Sequence, residues 1–195
     1  LTGRLSKMFD QAQREVASGF VGMAGTPIVG DSAEKGRRWT FQNVLGALVK
    51  TWDEHGRQFR AEYDNLHRPI SAFVQQAGQA EILFNYVVYG DHLGPATAQT
   101  LNLLGTTHLI FDQAGMVRVP QLDFKGNPKS VDRILAKDYK NDLDWSALPG
   151  QADVAAIQVN ADPALETAEV FTAGSLYDAL NRPTWVTLPD GTIIV

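Results

Sequence analysis

The chain reads as α+β: a curved antiparallel sheet wrapped on N-terminal helices, followed by a C-terminal extension. Three observations predict it. Apolar residues recur at three- and four-residue intervals in the first fifty or so positions, the rhythm changes to two between Gln58 and Asp123, and composition shifts after Asp123.

Leu5, Met8, Phe9, Ala12, Val16 and Phe20 space out as one face of an opening helix that Gly19 and Gly22 would end. A glycine-punctuated passage follows, and its Gly19, Gly22 and Gly25 precede no helix that could face a phosphate, which argues against a nucleotide loop. A second helix is predicted from Thr40 as N-cap, with Phe41, Val44, Leu45, Leu48, Val49 and Trp52 in one stripe and Gly56 as its stop. Strands are then expected over 58–67, 70–76, 80–90, 100–112 and 115–123, with Asp112-Gln113-Ala114-Gly115 as a hairpin connection. The helical stripe would cover one face of that sheet.

Gly126, Asn127 and Pro128 mark the expected boundary between a domain over 1–125 and an extension over 126–195. The charged stretch with Asp132, Lys137, Asp138, Lys140, Asp142 and Asp144 reads as a linker or a solvated helix. Beyond it, Ala155–Val159, Glu169–Thr172, Thr184–Leu188 and Thr192–Val195 are short strand candidates interrupted by prolines. No internal repeat and no low-complexity run is apparent.

Of the 195 residues 44% are hydrophobic and 20% charged, enough for one globular domain with a decorated end. The formal charge of -5 comes from scattered groups with no basic cluster, which disfavours a nucleic-acid partner. Cysteine is absent, so disulfides, thiolate catalysis and cysteine-ligated zinc are excluded. No apolar run is long enough for a membrane helix and none reads as a leader, so a cytoplasmic location is expected; the first residue, Leu1, leaves a trimmed leader open. No GxSxG elbow, HExxH helix or Walker loop occurs, which disfavours serine-hydrolase, zincin and P-loop chemistry.

Strand alternation puts Val117, Val119, Gln121 and Asp123 on one face. If that face is the core, Asp123 is partly desolvated, its pKa rises and it serves as general acid or base; the competing reading is a solvated strand exit or turn cap. His108 shares a face with Leu104, Thr106 and Ile110, where it poises a proton or is simply a satisfied core histidine. Pairing about the 112–115 turn sets His108 opposite residue 119. Tyr63, Asn65 and His67 would share one strand face as inward donors, or form an exposed edge next to Pro69. Tyr86, Tyr89, Asp91 and His92 gather at the end of another strand, where adjacent Asp91 and His92 make a turn more readily than a metal site.

The passages Tyr89-Gly90-Asp91-His92-Leu93-Gly94-Pro95 and Leu104-Gly105-Thr106-Thr107-His108-Leu109-Ile110-Phe111-Asp112, then Gly115-Met116-Val117 and a strand ending in Asp123, carry a resemblance. So does Gly36-Arg37-Arg38 before Phe41. Over about residues 19–124 the chain resembles the SnoaL-like polyketide cyclases of the nuclear transport factor 2-like superfamily. The resemblance implies a cone closed at its narrow end, lined by apolar side chains, that frequently dimerises through its sheet. It also implies cofactor-independent cyclase, isomerase, lyase (dehydratase) or epoxide-opening chemistry, without metal.

On that reading Asp123 and His108 are the catalytic candidates, and Tyr63, His67, Tyr86, His92, Trp52 and Gln121 line the pocket for a small apolar or aromatic molecule in a homodimer. The alternative is a non-catalytic carrier or protein-interaction module on the same fold. A void shared by Asp123 and His108 would separate the two.

Overall fold

The structure is a computed structural model, and it describes residues 6–23 and 25–195. It overturns the α+β cone: almost all regular structure is antiparallel strand, and within each of two units the strands pair in chain order. The chain divides into two compact units, residues 1–82 and 83–195.

The first unit is a meander of β1 (Lys7–Phe9), β2 (Glu15–Val21), β3 (Pro27–Ser32), β4 (Gly36–Gln42), β5 (Leu48–Asp53), β6 (Gln58–Tyr63) and β7 (Pro69–Gln75). Both N-terminal helices are therefore corrected to hairpins. The supposed first helix is β1 and β2 joined at Asp10–Arg14, with its Leu5 lying outside the described residues, and the supposed second helix is β4 and β5 joined at Asn43–Ala47. The physical reason lies in the sheet itself. Its apolar residues sit on both faces and near the turns, so along the chain they fall at mixed spacings that mimic a helical period.

The second unit begins with β8 (Ile82–Tyr89), whose first residue lies at the division. A short 3₁₀ turn and the helix α1 (Pro95–Thr100) follow, where a strand from residue 100 was expected. Then come β9 (Thr107–Asp112), β10 (Gly115–Arg118) and β11 (Ser130–Leu135). After a long loop, α2 (Val154–Ala161) replaces the strand predicted at Ala155–Val159, with Asp153 accepting the Ala156 amide at 2.8 Å as its N-cap. β12 (Phe171–Tyr177), β13 (Pro183–Thr187) and β14 (Ile193–Ile194) end the chain. The expected boundary near 125 falls inside this unit, between the paired strands β10 and β11. The stretch taken for a linker or solvated helix contains β11.

The two units differ in what they bury. In the second, Leu83, Val88, Leu103, Leu109, Phe111, Trp145, Leu148, Ile157 and Leu165 are nearly inaccessible. Phe111 lies between Tyr86, stacked on it at 6.2 Å, and Trp145, tilted against it at 5.2 Å. The long loop closes over this core: the Leu83 amide donates to Asp144 Oδ1 (3.0 Å), the Leu83 carbonyl accepts the Trp145 amide (2.9 Å), and the Trp145 indole donates to the Asp112 carbonyl. In the first unit no described hydrophobic residue is buried; its buried residues are Asp53 and Ser71.

The hairpin turns repeat one design. At Asp10–Arg14, Asn43–Ala47, Asp53–Arg57, Asp64–Arg68, Asp123–Asn127 and Asp178–Arg182 the first residue's amide donates to the fifth residue's carbonyl, and the fourth residue's amide donates back to the first. The fourth residue is left-handed each time: Gln13, Gly46, Gly56, His67, Gly126 and Asn181 have φ between 60° and 89°. This is a type I turn followed by a bulge residue, and the ladder register shifts beside it, as between Glu62 and Tyr63 or Leu176 and Tyr177. The turn geometry recurs at unequal spacings along the chain.

Candidate functional site

Each such turn is fastened by its first side chain. Asp53 Oδ1 accepts the amides of His55 (3.0 Å) and Arg57 (2.9 Å), and Oδ2 accepts Arg57 Nε at 2.7 Å. Asp64 repeats this with Leu66 and Arg68, Asp178 with Leu180 and Arg182, and Asp10 with Arg14. Burial pushes the Asp53 and Asp64 carboxyls up, but the amide and guanidinium of Arg57 and of Arg68 outweigh it and hold both below the ordinary range.

That geometry decides the fate of the proposed acid. Asp123 is the fastener of its own turn: Oδ1 accepts Lys125 N (2.8 Å) and Asn127 N (2.9 Å), and Oδ2 accepts Asn127 Nδ2 (2.9 Å). The Asn127 side chain and amide lower its pKa, the opposite of the rise a desolvated base would show. The competing reading, a turn cap at the strand exit, is the one the structure shows. β10 ends at Arg118, so Gln121 and Asp123 are not on a strand face with Val117; Gln121 instead accepts Lys129 N through its carbonyl.

His108 is buried in β9, and its Nδ1 lies 2.9 Å from the Val119 carbonyl, which obliges that nitrogen to donate. The expected pairing holds, since Asp112 faces Gly115 and the Val119 amide bonds the His108 carbonyl. The imidazole is a satisfied core group.

The expected pocket residues scatter. Tyr63 donates its hydroxyl to the Leu48 carbonyl at 2.6 Å, and His67 is the left-handed residue of the Asp64 turn. Tyr86 belongs to the second unit's aromatic core, where burial raises its pKa. His92 is exposed in the 3₁₀ turn after β8, whose Asp91 carboxylate accepts the Gly105 amide. Trp52 lies on β5 opposite Trp39. Two hollows of about 200 and 190 Å³ run along β1 to β3, one lined by Lys7, Met8, Ala17 and Gly19 and the other by Glu15, Val16 and Asp31. Neither takes in any of the predicted site residues.

What the first unit presents instead is a sheet face. Strand pairing aligns Phe20, Val29, Trp39, Trp52, Gln58 and Gln75 in one row and Phe41, Lys50, Arg60 and Phe73 in the next, and directly paired residues share a face. Phe20 is 71% exposed, Phe41 57% and Trp39 37%. Lys50 Nζ sits 5.2 Å over the Trp52 ring, and the Arg60 guanidinium 3.8 Å over Phe73 while also paired to Glu62 and Glu81.

Sequence reasoning also missed the charged contacts inside the second unit. Asp132, buried on β11, accepts Arg118 Nε at 2.9 Å from β10 and the Thr172 hydroxyl at 2.8 Å from β12. Arg133 clamps Asp112 with two bonds of 2.8 and 2.7 Å. The available signal was the alternation of Ser130, Asp132 and Ile134 with Val131, Arg133 and Leu135.

The chain is thus an all-β hairpin meander with fastened turns. No protein-family profile and no curated protein matches it. Its fold is similar to one stretch of a much larger chain in the crystal structure of TcdB2-TccC3, with a TM-score of 0.80 at 19% identity over 92% of this chain and 8% of that one. It is equally similar to a chain of TcdB2-TccC3-Cdc42, with a TM-score of 0.79, 19% identity and the same coverage. The Photorhabdus luminescens Tc holotoxin pore carrying TccC3-D651A gives a TM-score of 0.77 at 20% identity over 92% of this chain and 8% of that chain. This likeness in fold replaces the SnoaL-like assignment, and with it go the cyclase, isomerase and lyase expectations, which rested on an α+β cone that the described residues do not form. No helix among the described residues is long and apolar enough to cross a membrane.

Proposed function

We propose that the chain is an architectural segment of a large β-sheet shell in a toxin complex of the Tc kind, working through protein partners. The observation that carries this is the missing core of the first unit. Seven strands with no buried hydrophobic residue among those described, and with Phe20, Trp39 and Phe41 open to solvent, gain little from the hydrophobic effect by themselves. A sheet of that kind is stabilised by its ladder, by fastened turns and by whatever covers it. The likeness supports the reading, because the matched stretches are 8% of chains that assemble into multi-subunit toxins.

Electron cryomicroscopy of the gene product that carries these residues, purified with its bound proteins, tests the proposal. The expected result is a continuous sheet wall in which β1 to β7 form part of one surface. A free-standing domain with the first unit uncovered on both faces would overturn it.

A further inference from the structure

We propose that one end of the first unit, formed by the turns after β2, β4 and β6, docks on an uncharged, apolar protein surface elsewhere in the same assembly. This rests on the shell reading above and adds which end of the segment is covered and by what chemistry. In a meander successive turns alternate between the two ends of the sheet. The turns after β2, β4 and β6 therefore share one end, and those after β1, β3 and β5 share the other.

The sequence sorts its charge by end. The turns after β1, β3 and β5 carry Asp10 with Arg14, Glu34 with Lys35, and Glu54 with His55. At the opposite end no ionisable side chain occurs between Glu15 and Asp31 or between Arg38 and Lys50. The tips there are apolar: Met23 and Val44 are fully exposed, and Leu66 is 70% exposed. The third turn keeps charges that neutralise each other, Asp64 and Arg68 at 2.7 Å.

The fastening chemistry changes with the end as well. Asn43 does what Asp53 does, its Oδ1 accepting the amides of Leu45 (3.0 Å) and Ala47 (2.9 Å), but it carries no charge and the fifth residue is Ala47 in place of an arginine. The turn after β2 closes by main chain alone, Gly22 N to the Thr26 carbonyl at 2.8 Å and Gly25 N to the Gly22 carbonyl at 2.8 Å. Turn geometry is thus kept while the ions are removed. Water imposes no such requirement, whereas a contact that excludes water does, because an ion stripped of solvent there is costly.

The occupant follows from charge and area. No lysine or arginine stands between Glu15 and Asp31 or between Arg38 and Lys50, so anionic headgroups gain nothing at Met23 or Val44. Tips two strands apart make a strip roughly 20 Å long and about 10 Å wide, well short of the about 800 Å² per partner of a stable contact between free chains. A second copy of this chain is therefore too weak an occupant. Within one assembly other contacts hold the two surfaces together, and a narrow strip then suffices. The facing surface must be uncharged, since the strip offers no counter-ion outside the Asp64–Arg68 pair.

The chain has no cysteine, so single-cysteine variants report each end by maleimide labelling: Val44→Cys at the uncharged end and Glu34→Cys at the charged one. Both react fast in the isolated chain. In the intact gene product assembled with its partners, Val44→Cys slows at least about tenfold, because it reacts only when the contact opens, while Glu34→Cys stays within about twofold. Equal slowing at both ends would overturn the inference. Labelling of Val44→Cys at the isolated rate inside an intact sheet wall also overturns it and leaves the shell reading standing; an assembly without that wall removes both. Should either variant fail to assemble, peroxide oxidation of Met23 in the unmodified protein decides: its rate falls at least about tenfold on assembly, and an unchanged rate refutes the contact. The isolated chain is expected to remain monomeric in sedimentation and to stay off vesicles of phosphatidylcholine and phosphatidylglycerol. A dimer dispersed by Val44→Asp, or vesicle binding lost in that variant, would overturn the proposal in favour of a second copy or a lipid surface.

Discussion

Arg57 returns to Asp53 from four residues along the chain, giving both its amide and its Nε to one carboxylate, and so closes the turn between β5 and β6. The Asp53 side chain is 3% exposed, whereas the equivalent Asp10 is 23% exposed. Solvent competes for Asp10 and not for Asp53. Asp53→Ala is therefore expected to lower Tm more than Asp10→Ala, because it removes a shielded acceptor from two amides and a guanidinium. Thermal unfolding by circular dichroism compares them, and equal effects would contradict the account.

The left-handed fourth position of each turn predicts a pattern of opposite signs. Gly46 has open space around it and φ of 80°, so Gly46→Ala should cost about 1 kcal/mol from backbone conformation alone. His67→Gly relieves the same conformation and should stabilise by roughly 0.5 kcal/mol after the greater freedom of the unfolded chain is counted. Urea titration measures both. A destabilised His67→Gly would show that the imidazole does more than occupy the turn.

Gly115 predicts a larger loss. A Cβ there would collide with the Ile134 carbonyl of β11 and meet the Ala136 amide just beyond that strand at 2.8 Å, both main chain. Gly115→Ala is expected to cost upwards of about 3 kcal/mol and to disrupt the β10–β11 ladder. Loss of near-ultraviolet signal from Trp145 reports it, since that indole is bonded to Asp112 across the same turn.

Acid sensitivity of the carboxylate pairs has a definite window. Burial raises the Asp112 carboxyl, but Arg133 and the Ala114 amide hold it below its ordinary value, and Arg60 does the same to Glu81. Groups with depressed folded values contribute stability that is full above about pH 4.5 and lost as pH falls through those folded values. Stability from these pairs should thus be flat from pH 7 to about 4.5 and decline below. Arg133→Met should flatten the decline, as measured by denaturant midpoint against pH.

The strands between Gln58 and Tyr89 were legible because Phe59, Ala61 and Tyr63 alternate with Gln58, Arg60 and Glu62, and Ile70, Ala72 and Val74 repeat at every second position. The hairpin at Asp112–Gly115 was legible from its turn chemistry. The first fifty residues were not, because Met8, Phe9, Phe20 and Phe41 are exposed and no single buried face filters them into a period of two. The decisive local signals were Asn43 with Gly46, and Asp53 with Gly56 and Arg57, which mark turns where helices were expected. Asp123 failed as a catalytic candidate for the same reason: its meaning came from Asn127 four positions on, a local fastening that alternation cannot see. His108, by contrast, lies opposite residue 119 as the turn pairing predicts, while the choice between a proton-handling and a satisfied core histidine stayed open in the sequence.

Residue-resolved oxidative labelling tests most directly whether the first unit is built to be covered. In the isolated chain Phe20, Trp39 and Phe41 should label strongly, in keeping with their exposure. In the intact gene product assembled with its partners the account predicts that their labelling falls several-fold. Unchanged labelling of all three in the assembled protein would contradict it.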